Sequence, residues 1–143
     1  MISICDFRLL AEMNETEMKQ RRKKLALRVL KLADALPKTR SGNAIAGQIV
    51  RSGTSVAANY RALCRAKSRA DFINKTSIVE EEADESCFWL ELLVDAGLLG
   101  SRQVQQLLQE ANEITAILVA SRKTAAGRQA PSFENRNSKV ENP

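Results

Sequence analysis

The stretch from Gln48 to Leu93 constrains the fold more than any other part of the chain. Its apolar residues recur at spacings of three, four and seven, which places them along one side of an α-helix. Ser68, with Asp71 three residues later, has the pattern of a helix N-cap. The stretch is therefore predicted to form two long helices joined by a short basic turn.

Apolar stripes with the same period predict one helix before this stretch and one after it. Short links between four helices are typical of an all-α, antiparallel up-down-up-down four-helix bundle. Residues 14–126 would form the bundle, residues 1–13 a loosely attached N-terminal extension, and residues 127–143 a disordered C-terminal tail. The helix boundaries are predicted at capping and helix-breaking residues, namely Asn14, Pro37, Ser41 or Asn43, Ser68, Gly97 and Ser101.

The composition excludes several kinds of catalytic site. Histidine is absent, which excludes Ser-His and Cys-His catalysis and histidine-ligated zinc. Cys5, Cys64 and Cys87 are odd in number and widely spaced, as is typical of reduced thiols in the cytoplasm, and buried structural roles are expected for Cys64 and Cys87. No apolar run approaches the roughly 18 residues that span a membrane. We expect a cytoplasmic protein that is not an enzyme, with no cofactor, metal, membrane or evident small-molecule partner.

Polar residues on the facing sides of the second and third helices allow two interpretations. In an antiparallel hairpin that turns near Ser68, facing residue numbers sum to about 136, which places Arg51 opposite Glu85. One interpretation is a structural polar layer that fixes the helix register. The other is a carboxylate cluster for metal or acid–base chemistry, but di-iron bundles use Glu-x-x-His motifs and this chain has no histidine. The structural layer is favoured, and its predicted members are Arg51, Ser55, Asn59, Glu81 and Glu85.

Basic residues from three segments meet at one end of the predicted bundle. The start of the first helix, the turn between the second and third, and the end of the fourth share that end. We expect RNA or DNA to bind there mainly through charge, with little base reading. The alternatives are a solvated basic surface or a protein-interaction scaffold. The predicted contacts are Lys19, Arg22, Lys23, Arg61, Arg65, Lys67, Arg69, Arg122 and Lys123.

A second apolar face on the third helix predicts self-association. Ile78, Trp89 and Leu92 lie off the main stripe and would meet a second subunit. A small-residue surface on the second helix, formed by Gly53, Ala57 and Ala58, would complete this contact. On the first helix, Leu27 and Leu30 lie beside the main stripe and are predicted to widen its apolar face.

The chain also resembles a known family over roughly residues 14–120. The resemblance is carried by QIVRS and the run that follows, SGTSVAANYRALCRAKSRADFINKTSIVEEEADESCFWLELL. These residues resemble the bacterial four-helix bundle proteins related to the 23S rRNA intervening-sequence proteins. The resemblance implies a ring, commonly a homopentamer. It also implies kinship with the accessory variability determinant of diversity-generating retroelements, a pentameric bundle with a basic surface that binds nucleic acid.

Overall fold

The computed structural model describes residues 15–127, which form four α-helices and no β-strand. The helices are α1 (Glu15–Asp34), α2 (Arg40–Leu63), α3 (Arg69–Asp95) and α4 (Ser101–Gly127). The predicted all-α four-helix bundle is confirmed. The predicted N-terminal extension, the Asn14 cap and residues 128–143 of the predicted tail lie outside the described residues.

Successive helices are neighbours in the bundle, and this order determines which helix faces and which links lie together at its surface. Each helix packs against the next along the chain, and α4 returns to make a smaller contact with α1. It follows that α1 and α3 lie at opposite corners. The α2–α3 link shares one end of the bundle with the start of α1 and the last turns of α4. Within residues 15–127, no helix combines the length and apolar character that crossing a bilayer requires.

The core between the helices is built from the predicted apolar stripes. Ile49, Val56, Val79, Leu90 and Ile114 have no exposed surface. Burying a side chain of this size stabilises the folded chain by about 1.5–3 kcal/mol. Leu27 and Leu30, which lie off the main stripe, do not join the core and are 52% and 39% exposed. The contact of α1 with α4 is small, so the buried side of α1 is narrower than its apolar pattern.

Gly53 brings α1 and α2 close together inside the subunit. A Cβ atom at Gly53 would lie 3.0 Å from both Cγ atoms of Val29. A glycine inside a helix costs about 1 kcal/mol relative to alanine, and close packing offsets that cost here. Gly53 is buried, so its predicted place on a surface for a second subunit was wrong. Ala58 remains exposed and Ala57 is partly exposed.

The helix ends confirm two predicted signals and correct two others. Ser68 caps α3, since its Oγ accepts a hydrogen bond from Asp71 N at 3.1 Å. Gly97 ends α3 with a φ of +69°, a conformation that favours glycine. The cap of α2 is Thr39, whose Oγ1 accepts from Gly42 N at 3.1 Å, and neither Ser41 nor Asn43. The predicted cap Ser101 is instead the first residue of α4.

Candidate nucleic-acid interface

Three segments meet at one end of the bundle, as the sequence predicts. Residues from α1, α2, the α2–α3 link, α3 and α4 line a common cavity there. We call this region the basic end and define it as residues 15–24, 61–69 and 121–123. It contains all nine cations that were predicted to contact nucleic acid, although their environments differ.

Six cations of the basic end are exposed, and their side chains form no salt bridge with an acidic residue among residues 15–127. Their side chains therefore remain available to phosphate groups. Five of them belong to the predicted set and Lys24 joins them. The six are Lys23, Lys24, Arg61, Arg65, Lys67 and Lys123.

Other cations near this end are held by carboxylates of the protein. Arg122 Nε donates to Glu80 Oε2 at 2.7 Å, which links α4 to α3. Lys19 Nζ lies 2.5 Å from a carboxylate oxygen of Glu15 on the same helix. Arg69 is exposed at the first residue of α3. Arg122 and Lys19 can contact a ligand only by sharing or leaving these partners.

Arg22 does not lie on the surface, so its predicted contact with a nucleic-acid backbone was wrong. The residue is 1% exposed. Its position explains this burial, since it lies four residues after Met18 and three before Leu25 on the apolar stripe of α1. The sequence contains this spacing, whereas the charge of Arg22 resembles that of its exposed neighbours Lys23 and Lys24.

A groove of about 860 Å³ runs between α1 and α2 and was not predicted from the sequence. Its residues include Lys23, Lys24 and Arg61, together with the apolar side chains of Leu27 and Ala58. The groove thus joins three of the six unpaired cations to an apolar floor. In the sequence, the groove is indicated by the row of small residues on α2, which faces the basic start of α1.

The aromatic residues of this end are not placed for stacking on bases. Tyr60 and Phe72 are both partly buried against the core. The Tyr60 ring lies beneath the guanidinium of Arg22, with 4.0 Å between the guanidinium carbon and the ring centroid. Burial raises the pKa of Tyr60 to about 12, so its hydroxyl is neutral at physiological pH. The available contacts with a nucleic acid are therefore those of charged side chains.

The predicted polar layer between α2 and α3 lies mainly at the surface. The predicted pairing of Arg51 with Glu85 is present, and Arg51 Nη1 also lies 3.1 Å from Glu82 Oε2. The guanidinium of Arg51 lowers the pKa of Glu85. Asn59 donates to the backbone oxygen of Ser55, and Glu81 is exposed. Within residues 15–127, no group of three or more acidic or cysteine side chains could hold a metal ion.

The buried polar contact of this interface is a serine pair that the sequence interpretation did not select. Ser52 and Ser86 are 0% and 1% exposed, and their hydroxyl oxygens lie 3.0 Å apart. The Ser86 hydroxyl donates to Ser52 Oγ and also lies 2.9 Å from Glu82 O, while the Ser52 hydroxyl lies 3.5 Å from Ile49 O. This pair fixes the facing positions of α2 and α3 inside the core.

The Cys87 thiol is buried, as predicted, and is shielded from reaction. Cys87 is 4% exposed, and its Sγ lies 3.4 Å from Asn112 Oδ1. Burial raises the pKa of the Cys87 thiol to about 11. The thiolate is the reactive form of cysteine, so very little of Cys87 is reactive near neutral pH.

We expect iodoacetamide to label Cys87 at pH 8 at least about 100-fold more slowly in the native protein than in urea. The pKa of Cys87 is about 11 in the native protein, whereas that of an ordinary thiol is near 8.5, so the native protein contains far less of the reactive thiolate. The native rate should rise about tenfold per pH unit up to pH 11. Peptide mass spectrometry would follow Cys87, with Cys64 as an internal comparison. Equal native and unfolded rates at Cys87 would contradict the burial argument.

A family model and a crystal structure match this chain and agree with the fold described above. The family model described as 23S rRNA-intervening sequence protein matches residues 14–120. The chain belongs to this family. A crystal structure of a protein with unknown function from the S23 ribosomal protein family of Bacteroides thetaiotaomicron is also similar. It is 36% identical, with a TM-score of 0.68, and the match covers 73% of this chain and 97% of that chain. None of the curated proteins compared with the chain matches it.

Proposed function

We propose that the protein is a non-enzymatic, cytoplasmic, oligomeric bundle that binds RNA or DNA by charge through its basic end. The observation that carries this proposal is the group of six exposed cations whose side chains form no salt bridge within residues 15–127, contributed by α1, the end of α2, the α2–α3 link and α4. Free thiols at Cys64 and Cys87 suit a reducing compartment. The description of the family supplies a link to rRNA genes and not a binding activity.

Binding at this end would follow the phosphate backbone. Each Lys or Arg that neutralises a phosphate releases counterions, so affinity falls as salt rises. Six such contacts give a slope of about −5 in a plot of log affinity against log salt concentration. Since Tyr60 and Phe72 are packed against the core, stacking and base reading add little. The complex would therefore tolerate many sequences.

Self-association is supported by complementary outer faces of α1 and α3. The outer face of α3 exposes Phe88 at 52% and Ile78 at 40%, with Glu81 beside them. The outer face of α1 exposes Leu27 and Leu30, with Lys31 beside them. Both faces have an apolar patch. The charge beside the patch is negative on α3 and positive on α1, and these opposite charges favour docking of one face on the other.

Because α1 and α3 lie at opposite corners of the bundle, such a contact is head-to-tail. Head-to-tail contacts generate a ring when the rotation between subunits closes. We propose a homopentameric ring of this kind, which revises the predicted contact of Ile78, Trp89 and Leu92 by adding Phe88 and the face of α1. A ring would repeat the basic end, so that several weak sites act together on one nucleic acid.

The test is to purify the full chain from cells at low salt and measure its mass by light scattering and its bound nucleic acid by absorbance. We expect an oligomer carrying nucleic acid, with affinity falling about 10³-fold between 50 and 200 mM salt for six phosphate contacts. A monomer would defeat the ring. Binding that does not weaken with salt would defeat the charge mechanism. Absence of nucleic acid, with a specific protein bound instead, would favour the scaffold.

A further inference from the structure

Four of the six exposed cations of the basic end lie in two short rows on neighbouring helices. Lys23 and Lys24 form the α1 row. Arg61 lies in the last turn of α2 and Arg65 just beyond its end, and together they form the α2 row. Lys23, Lys24 and Arg61 line the same groove. The two rows therefore border one surface, where a single ligand can contact both.

The packing of α1 on α2 places the two rows at similar heights in the bundle. A Cβ atom at Gly53 would lie 3.0 Å from Val29, so these residues lie side by side on α2 and α1. At about 1.5 Å per residue, Lys24 lies about 8 Å and Arg61 about 12 Å from this contact, both toward the basic end. The two positions therefore differ in height by less than about one helical turn.

The separation of the rows suits the two phosphate backbones of a duplex. The axes of packed helices lie about 8–10 Å apart. The two backbones of B-DNA border a minor groove about 6 Å wide and a major groove about 12 Å wide. Flexible lysine and arginine side chains adjust for differences of this size. The α1 row and the α2 row can therefore each contact one strand.

The α2–α3 link holds two more positions of this array in place. Arg65 N donates to Ala62 O at 3.0 Å. Lys67 N donates to Asp71 Oδ2 at 2.9 Å. Lys123, on α4, adds the sixth cation from within a helix. Backbone positions that are fixed in this way favour a ligand whose phosphates are already ordered.

The basic end, all of whose residues are described, contains no aromatic side chain. Stacking on aromatic side chains contributes at least about fivefold in affinity per base to proteins that bind single strands. Tyr60 and Phe72 lie beside this end but pack against the core, and the guanidinium of Arg22 covers the Tyr60 ring. A single strand bound here would lose conformational freedom in return for charge contacts alone.

The charge density of the ligand also favours a duplex. Double-stranded DNA carries about one negative charge per 1.7 Å of its axis. Each phosphate contact contributes a salt slope of about −0.9 on a duplex and about −0.7 on a single strand. Six contacts therefore give slopes of about −5 and about −4. Between 1 M and 0.1 M salt, this difference raises duplex affinity over single-strand affinity by about tenfold.

We propose that the basic end binds double-stranded nucleic acid in preference to single strands. This inference rests on the proposed charge-driven binding and names the class of polymer that the site takes. The α1 row and the α2 row contact the two backbones of one duplex, and Lys67 and Lys123 contact further phosphates. RNA stems and duplex DNA share these paired backbones, and separate probes distinguish them.

The test measures fluorescence anisotropy of the full chain with labelled hairpins and single strands near 100 mM salt. One hairpin is DNA and one is RNA, each with a stem of about 20 base pairs, or two helical turns. One arm of each stem, without self-complementarity, serves as the matched single strand. We expect each hairpin that binds to do so about tenfold more tightly than its own arm, with a steeper salt slope.

The outcomes separate this inference from the proposed function. Arms that bind as tightly as their hairpins would overturn the preference for duplexes and leave charge-driven binding intact. A chain that binds neither hairpins nor arms would overturn both. Tighter binding of one hairpin would assign the site to RNA stems or to duplex DNA, provided that the hairpin exceeds its own arm.

Neutral methylphosphonate linkages test the contact with both backbones. They replace the phosphates along one whole arm of the DNA hairpin, and a second hairpin carries them along the other arm. If both strands are contacted, either replacement should reduce affinity at least about tenfold, since each contact contributes about that much near 100 mM salt. A protein that follows one backbone would bind the untouched arm and lose little, and this result would overturn the proposed contact.

Two exposed alanines of α2 test the argument from missing aromatic side chains. Ala62→Trp places an exposed ring between Arg61 and Arg65. It should raise single-strand affinity at least about fivefold and change hairpin affinity little. The matched control is Ala44→Trp at the opposite end of α2, which should change neither affinity. Single-strand affinity that does not rise in Ala62→Trp would overturn this account of the preference.

Discussion

Gly42→Ala is expected to lower the free energy of unfolding by about 2–3 kcal/mol, from the cost of overpacking and loss of a helix cap. A Cβ atom at Gly42 would lie 2.0 Å from the backbone oxygen of Pro37 and 3.1 Å from Thr39 Oγ1. A backbone oxygen cannot turn aside as a flexible side chain can. The α1–α2 link must therefore move, and the Thr39 cap moves with it.

The matched control is Gly47→Ala in the same helix. A Cβ atom at Gly47 meets nothing within 4 Å among the described residues. Alanine has the higher helix propensity, so this change should raise stability by about 0.5–1 kcal/mol. Urea unfolding followed by circular dichroism, at one fixed protein concentration, compares the two variants. Gly42→Ala that is as stable as the unaltered chain would show that the link is not packed against α2 as described.

Reversing two charges at the basic end is expected to reduce nucleic-acid affinity about 100-fold or more near 100 mM salt. Arg61→Glu with Arg65→Glu removes two phosphate contacts, each contributing about tenfold at that salt concentration. The slope of log affinity against log salt should become shallower by about two. Both arginines are exposed, and neither has an acidic partner among residues 15–127, so no internal ion pair is lost.

The matched control is Lys38→Glu with Arg40→Glu, which changes the net charge equally at the opposite end of the bundle. Lys38 and Arg40 are both exposed next to the start of α2. Fluorescence anisotropy with one labelled RNA and one labelled DNA would measure both pairs. Equal losses in the two pairs would indicate an effect of net charge alone. No loss in the Arg61 and Arg65 pair would place the interface elsewhere.

The contrast between Arg22 and Arg61 shows why a list of basic residues did not define a site. Both residues lie at the basic end, and both were predicted to contact phosphate. One has 1% of its surface exposed and the other lies open to solvent. Helical spacing already placed Arg22 on the buried stripe, but only the positions of α2, α3 and α4 show that the cavity beside it is mostly apolar.

Side-chain register was the most predictable part of the α2–α3 interface. A turn near Ser68 fixes which positions face each other, and Arg51 does contact Glu85. How deeply each of these side chains is buried was not predictable in the same way. The pattern did not distinguish Ser52 and Ser86, which are buried, from Ser55 and Glu81, which lie nearer solvent. Depth depends on how closely two helices approach, and that is decided by side chains on both.

The sequence by itself determined the number of helices, their order, and the side of each helix that faces the core. It did so because helix periodicity, N-caps such as Ser68 and a left-handed glycine such as Gly97 are local properties of the chain. The tertiary structure alone decided the exposure of Leu27 and Leu30, the groove beside α1, and the unpartnered edge of Arg22. These depend on the distances between neighbouring helices, and the sequence of one helix does not contain that information.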